Sequence, residues 1–188
     1  MNRLVIMTVG KTHSGKTTFA KALEKELHNS VVIDQDNHAE FLHAYYQTLL
    51  PKQGPNVIKY AITQTIVDYA VNETNCHIIR CNSHRSQKSR LDQLAYFHEK
   101  GFTSILVNFE IPTHVLEERI ARNNRSKNVL RVASTFDEVL TRQENETNKG
   151  DILAPIEGEA DHLFIIENSD DIQSVIEKIV NMAQSVGA

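Results

Sequence analysis

The chain has 188 residues, 40% of them hydrophobic, and carries 20 Lys+Arg against 24 Asp+Glu for a net charge of −4. That suits one domain with its own core, residues 1–188, and disfavours nucleic acid as the main ligand, because such binders neutralise phosphates with a basic surplus. No apolar run reaches membrane-spanning length and the first strand-like run starts almost at Met1, so no membrane partner, no signal peptide and a cytoplasmic location are expected.

Leu4-Val5-Ile6-Met7-Thr8-Val9 reads as a buried strand, and Gly10-Lys11-Thr12-His13-Ser14-Gly15-Lys16-Thr17 follows it directly. This is the Gly-x-x-x-x-Gly-Lys-Thr phosphate-binding loop. Glycine lets the backbone curl so that several N–H groups point at a phosphate, and the dipole of the next helix adds to the attraction. Lys16 is expected to reach the β- and γ-phosphates, the Thr17 hydroxyl to ligate Mg²⁺, and Thr18 to complete the cradle. A helix over residues 18–27 should bury Phe19, Ala22, Leu23 and Leu27.

Ser30-Val31-Val32-Ile33 is the second strand, leading into Asp34-Gln35-Asp36-Asn37-His38. In an extended segment alternate side chains point the same way, so Asp34 and Asp36 face one crevice together. Two carboxylates there suit two jobs: holding Mg²⁺ through a water, and taking a proton from an attacking hydroxyl. Asp34 is the candidate metal residue and Asp36 the candidate base, and both are candidates for touching the acceptor. The competing reading is a capped helix start. His38 and His43 read as surface residues. A helix over 39–50 stops at Pro51, residues 51–55 form a loop, and 57–71 reads as a helix with Ile58, Ala61, Ile62, Thr65, Ile66 and Tyr69 on its apolar face.

The third strand covers 77–81, with Cys76 and Cys81 beside it as reduced core thiols. Asn82 stands where a second nucleotide motif would end in Asp, so any carboxylate for Mg²⁺ must come from Asp34 or Asp36. Residues 82–90 are polar and basic, with Arg85 placed to hold an acceptor or its phosphate. A helix over 87–100 ends at Gly101, and a fourth strand covers 103–109. Pro112 suits the first turn of the next helix. There Arg119, Arg122 and Arg125 recur every third residue and form one drifting stripe. Arginine on a moving phosphoryl group is worth roughly a thousandfold or more in rate. Arg122 and Arg125 are therefore candidate catalytic arginines on a short lid, about 122–134, with Arg119 and Arg131 as weaker candidates. A helix over 136–147, a fifth strand over 162–166 and a helix over 172–183 complete the chain.

Strand–helix alternation of this kind implies an α/β fold, a parallel sheet with helices on both faces. The phosphate loop, Asp34-x-Asp36 after the second strand, and the Arg-rich helix followed by Phe136-Asp137-Glu138-Val139-Leu140 resemble the small P-loop kinases. The resemblance is to the branch holding polynucleotide 5′-hydroxyl kinases, gluconate kinases, chloramphenicol phosphotransferases and zeta-type toxins. The motif order covers most of the chain, with specific matches in residues 3–38 and 115–142. It implies a three-layer P-loop NTPase fold with a five-stranded sheet ordered 2-3-1-4-5. It also implies Asp36 as general base, Arg122 and Arg125 on the transferring phosphate, and ATP with Mg²⁺ as donor. The chain departs from the pattern on the acceptor side. Asn37-His38-Ala39-Glu40 lacks the arginine of polynucleotide kinases, residues 82–90 lack the glycines of shikimate kinases, and His84-Arg85-Ser86 lacks the acid of deoxynucleoside kinases.

Two function classes follow. The first is a kinase moving the γ-phosphate of Mg²⁺·ATP to a hydroxyl of a small-molecule or nucleotide acceptor, with a polynucleotide 5′-hydroxyl kinase as its variant. The second is an ATP-binding regulatory module with little transfer activity. Lid arginines in cis favour the first, and the lack of an Asp-x-x-Gly switch motif disfavours a GTPase.

Overall fold

The computed structural model describes residues 3–123, 125–130 and 133–185. Five strands, β1 (Arg3–Gly10), β2 (Ser30–Asp34), β3 (His77–Cys81), β4 (Phe102–Phe109) and β5 (His162–Ile166), form one sheet ordered β2-β3-β1-β4-β5. Every pairing is parallel. Between them run α1 (Lys16–Glu26), α2 (Gln35–Tyr45), α3 (Val57–Glu73), α4 (Gln87–Glu99), α5 (Thr113–Ala121), α6 (Phe136–Glu146) and α7 (Asp171–Ser185).

β1 lies at the centre because it is apolar along its length and buried from Leu4 onward. Leu4 and Ile6 pack with Phe19 and Leu23 of α1, Leu116 of α5, Leu140 of α6 and Ile176 of α7. Val5 and Met7 pack on the opposite face with Val67 and Val71 of α3 and Leu94 and Phe97 of α4. This is the three-layer P-loop fold and the strand order that the resemblance implied. Among the described residues no helix is long and apolar enough to cross a membrane.

Local boundaries differ where side chains cap the backbone. α2 starts at Gln35, four residues before the expected start at 39, because Asp34 caps it: the Asp36 N–H donates to Asp34 Oδ1 at 2.9 Å. The segment after β2 is therefore helical and not extended. α2 also ends at Tyr45, with a separate 3₁₀ turn at Gln47–Leu49. α3 buries Thr63, Val67, Ala70 and Val71, whereas Ala61, Thr65, Ile66 and Tyr69 of the expected apolar face are exposed. Apolar residues ring this helix, so spacing alone does not choose the face; the sheet does. His38 is half-buried and ties α2 to α3 through Thr63 Oγ1 at 2.8 Å, so it is no surface residue. Of the two free cysteines only Cys81 is buried.

Candidate active site

The phosphate loop leaves β1 at Gly10, whose φ is 147°. A Cβ there would come within 3.0 Å of Phe109 Cβ and 3.1 Å of Ser14 Oγ, so only glycine lets the loop turn against the end of β4. Gly15, at φ 101°, is the N-cap of α1, and Lys16 and Thr17 are that helix's first residues. The loop is held by α6. The Thr12 N–H donates to Gln143 Oε1 at 2.7 Å, Lys11 pairs with Glu144 at 2.7 Å, and Phe136 meets the His13 ring edge-on at 4.8 Å. Lys16 Nζ curls back on its own loop, donating to the Lys11 carbonyl and, at 3.0 Å, to Ser14 Oγ. Burial pulls the Lys16 ammonium down to about 8.

A cleft of about 580 Å³ opens over this loop and is shared by Lys16, Thr17, Thr18, Asp34, Asp36 and Arg125. Thr17 Oγ1 donates to Asp34 Oδ2 at 3.3 Å, and Cys81 Sγ lies 3.6 Å from the same hydroxyl. Asp34 is buried, so its carboxylate is fixed from both sides by Thr17 and the α2 cap. A hard cation needs few protein oxygens when phosphates and waters supply the rest. The Thr17 hydroxyl and the Asp34 carboxylate fit that need for Mg²⁺. Burial, with the Asp34 charge second, pushes the Cys81 thiol up to about 12, and a hard cation such as Mg²⁺ takes oxygen ligands over sulfur.

The arginine stripe divides. Arg125 reaches into the cleft, pairs with Asp36 Oδ2 and lies 5.6 Å over the Phe136 ring. Arg122 has 82% of its side chain exposed, pairs with Glu118 at 3.7 Å, and is not among the described residues that line the cleft. Arg119 donates to the His13 carbonyl at 3.2 Å and Ser169 Oγ at 3.3 Å. Arg131 and part of the expected lid (124, 131 and 132) lie outside the described residues.

On the far side of the cleft the loop after β3 is clamped by Arg90. This fully buried guanidinium pairs with Glu159 at 2.9 Å and donates to the carbonyls of His84, Arg85 and Leu153. Arg85 does not project freely toward an acceptor; it ties the loop to α6 through the Gln143 carbonyl and Thr147 Oγ1. Asn82 donates to Gln35 Oε1 at 2.9 Å and lines the cleft without any charge.

The sequence did not reveal a second recess of about 180 Å³, lined by Gly15, Thr18, Ile111, Arg119, Asn168 and Ile172. Its walls come from the β5–α7 loop and α5, distant in sequence, so no local motif marks it. Asn148-Lys149-Gly150-Asp151 has the Asn-Lys-x-Asp spacing of guanine readers, so the sequence alone does not exclude guanine. The structure places it elsewhere: the Asp151 carboxylate caps the start of α4, accepting from Ser86 Oγ and the Lys88 N–H, and none of the four residues lines the recess.

A P-loop closing on a parallel 2-3-1-4-5 sheet defines a small P-loop kinase fold. The chain belongs to the AAA_33 family, described as an AAA domain, whose model matches residues 5–145. A protein of Chloroflexus aurantiacus has a similar structure at 17% identity, TM-score 0.68, covering 95% of this chain and 97% of that one. Kti12 of Chaetomium thermophilum in complex with ADP-AlF3 is similar at 14% identity, TM-score 0.63, covering 94% and 97%. The APS kinase CysC of Mycobacterium tuberculosis, in complex with AMPPNP and APS, is similar at 16% identity, TM-score 0.56, covering 97% and 98%. These likenesses concern the fold. No curated protein matches the sequence.

Proposed function

We propose that this protein is a kinase transferring the γ-phosphate of Mg²⁺·ATP to a hydroxyl of a small-molecule or nucleotide acceptor. The observation that carries this reading is the shared cleft, in which Lys16, the Thr17–Asp34 pair, Asp36 and Arg125 converge. In this reading the loop N–H groups and Lys16 cradle the phosphates. The adenine lies in the recess beside Arg119, where Ile111 and Ile172 offer apolar walls and Asn168 a polar edge. Thr17 and Asp34 would hold Mg²⁺, which supplies charge neutralisation when bound.

The acceptor oxygen forms a bond to the γ-phosphorus while the bond from that phosphorus to the β–γ bridging oxygen breaks. ADP leaves, and the hydroxyl proton passes to the Asp36 carboxylate. Arg125 leaves Asp36 for the transferring group, so one movement frees the base and places the cation. The test is incubation with γ-labelled ATP and a panel of hydroxyl acceptors. Label should move to at least one acceptor and fail to do so in Lys16→Ala. Nucleotide binding without transfer across the panel would favour the regulatory reading.

A further inference from the structure

Behind the cleft, apart from the recess beside Arg119, lies a further cavity of about 640 Å³ between α3, α4 and the loop after β3. It is continuous with the cleft, sharing Lys59, Tyr60, Asn82, Ser83, Arg142 and Gln143. Two of its lining residues are unusual. Arg80, on β3, is only 6% exposed, and among the described residues no carboxylate forms an ion pair with it. Its Nη2 donates to Gln93 Oε1 at 3.1 Å, while its buried Nη1 has no hydrogen-bond partner among the described residues. His84, at 7% exposure, is the other: its Nε2 is likewise buried and unpartnered.

The chemistry of these two atoms is complementary. His84 Nδ1 lies 2.9 Å from the Thr8 carbonyl, which only accepts, so Nδ1 carries the proton. Burial first, and the Arg80 charge second, pull this imidazole down to about 3, so the ring is neutral and Nε2 presents a lone pair. Burial also draws Arg80 down to about 10. A buried guanidinium without a counter-charge is costly, and an orphaned acceptor beside it adds to the cost. Around the cavity Arg80, Arg85 and Arg142 face one lining carboxylate among the described residues, Glu146, which both Arg85 and Arg142 approach. A net positive cavity in a chain of net charge −4 is a selective feature.

We propose that the acceptor carries an anionic group, a carboxylate or a phosphate, that Arg80 Nη1 binds in this cavity while a neighbouring hydroxyl of the same molecule donates to His84 Nε2. The transferable hydroxyl then lies toward Asp36. This rests on the kinase reading for what happens next, but not for the anion seat itself.

The test saturates the phosphate loop with Mg²⁺·ADP and then titrates glycerate, glycerol phosphate or glycerol, following thermal stability and the ¹⁵N signal of His84 Nε2. Glycerate or glycerol phosphate should stabilise the protein and shift His84 Nε2, while glycerol does neither. Response to glycerate alone indicates a hydroxy acid, to glycerol phosphate alone a sugar or nucleoside phosphate, and either supports the seat. Arg80→Gln should weaken the anion response roughly thirtyfold or more and leave Mg²⁺·ADP stabilisation unchanged. An equal response to glycerol, no response to either anion, or an undiminished response in Arg80→Gln overturns the proposal. If that variant does not fold, the wild-type His84 signal decides alone. Absence of any Mg²⁺·ADP effect would instead count against the kinase reading, and the anions are then titrated without nucleotide.

Discussion

Arg125 and Asp36 close a salt bridge across the mouth of the phosphate cleft, one from the segment after α5 and the other from the first turn of α2. Both side chains are partly exposed, at 32% and 42%, so solvent screens the pair and its net worth is only about 0–1 kcal/mol. A triphosphate brings more charge than one carboxylate and should win Arg125. If Asp36 is the base and Arg125 the phosphate clamp, as proposed, this pairing holds both in check and nucleotide binding should release both.

Asp36→Asn tests this coupling. Loss of the base should cut kcat roughly a hundredfold or more. Nucleotide affinity should hold or rise slightly, because Arg125 no longer has to be drawn away from a carboxylate. Parallel isothermal titration and turnover measurements read the two effects. Lost Mg²⁺·ATP binding in Asp36→Asn, with only turnover lost in Asp34→Asn, would exchange the two aspartates' duties.

The arginine stripe makes a graded claim. Arg125→Ala should lower turnover by roughly a hundredfold or more and weaken ATP binding much less, since its cation acts where charge develops. Arg122→Ala should cost less, because Arg122 begins from an exposed position outside the cleft, paired with the exposed Glu118. Steady-state kinetics of both variants check the order. Hydrogen exchange gives a second reading: protection at 125–130 should rise on adding Mg²⁺·ATP plus acceptor. Equal losses in the two variants would mean that Arg122 swings fully into the cleft on closure.

What was legible in the sequence follows from where geometry is local. The phosphate loop dictates its own glycines, lysine and threonine, so residues 10–17 announced both the strand before and the helix after. The start of α2 was legible only in part: the sequence offered a helix cap and a cation-facing pair as rival readings, and Asp34 does both, capping the helix while facing Thr17. The buried face of α3 was hidden by apolar residues all round the helix. Arg119 gave no sign of its contacts with His13 and Ser169, which are 106 and 50 residues away. Arg80 looked like one polar residue inside a strand, and only the closed packing of α3 and α4 shows that its charge lacks an answer.

Arg119 should govern nucleotide affinity more than chemistry. It bridges the phosphate loop to the β5–α7 loop and walls the recess proposed for adenine. Arg119→Ala is expected to raise KM for ATP about tenfold or more with kcat nearly retained, since it removes binding common to ground and transition states. ATP should stabilise the wild-type protein more than GTP does, and the variant should lose much of that preference. Thermal-shift titrations with both nucleotides measure this. Unchanged discrimination would place the base elsewhere.

Lys16 gives a prediction in pH. Burial depresses its ammonium from the ordinary 10.5 of a free lysine to about 8 in the folded protein. Below about pH 8 the lysine is charged in both states, and the folded state bears the full cost of holding that charge in the loop. Between about 8 and 10.5 the unfolded chain binds more protons than the folded one, so stability rises with pH and the cost fades. Lys16→Met should therefore be more stable than wild type without nucleotide at pH 7, with the gap narrowing from about pH 8 toward 10.5. Nucleotide reverses the sign. Phosphates favour the charged lysine, so ATP affinity of the wild type should fall as pH climbs past about 8, with proton uptake on binding near that pH. Lys16→Met should bind ATP weakly, transfer nothing and show no such pH dependence. Urea melts across pH 7 to 10 read the first effect, and calorimetry in buffers of different ionisation enthalpy reads the second. A constant stability gap over that range would mean that Lys16 is better solvated than its contacts with Lys11 and Ser14 imply.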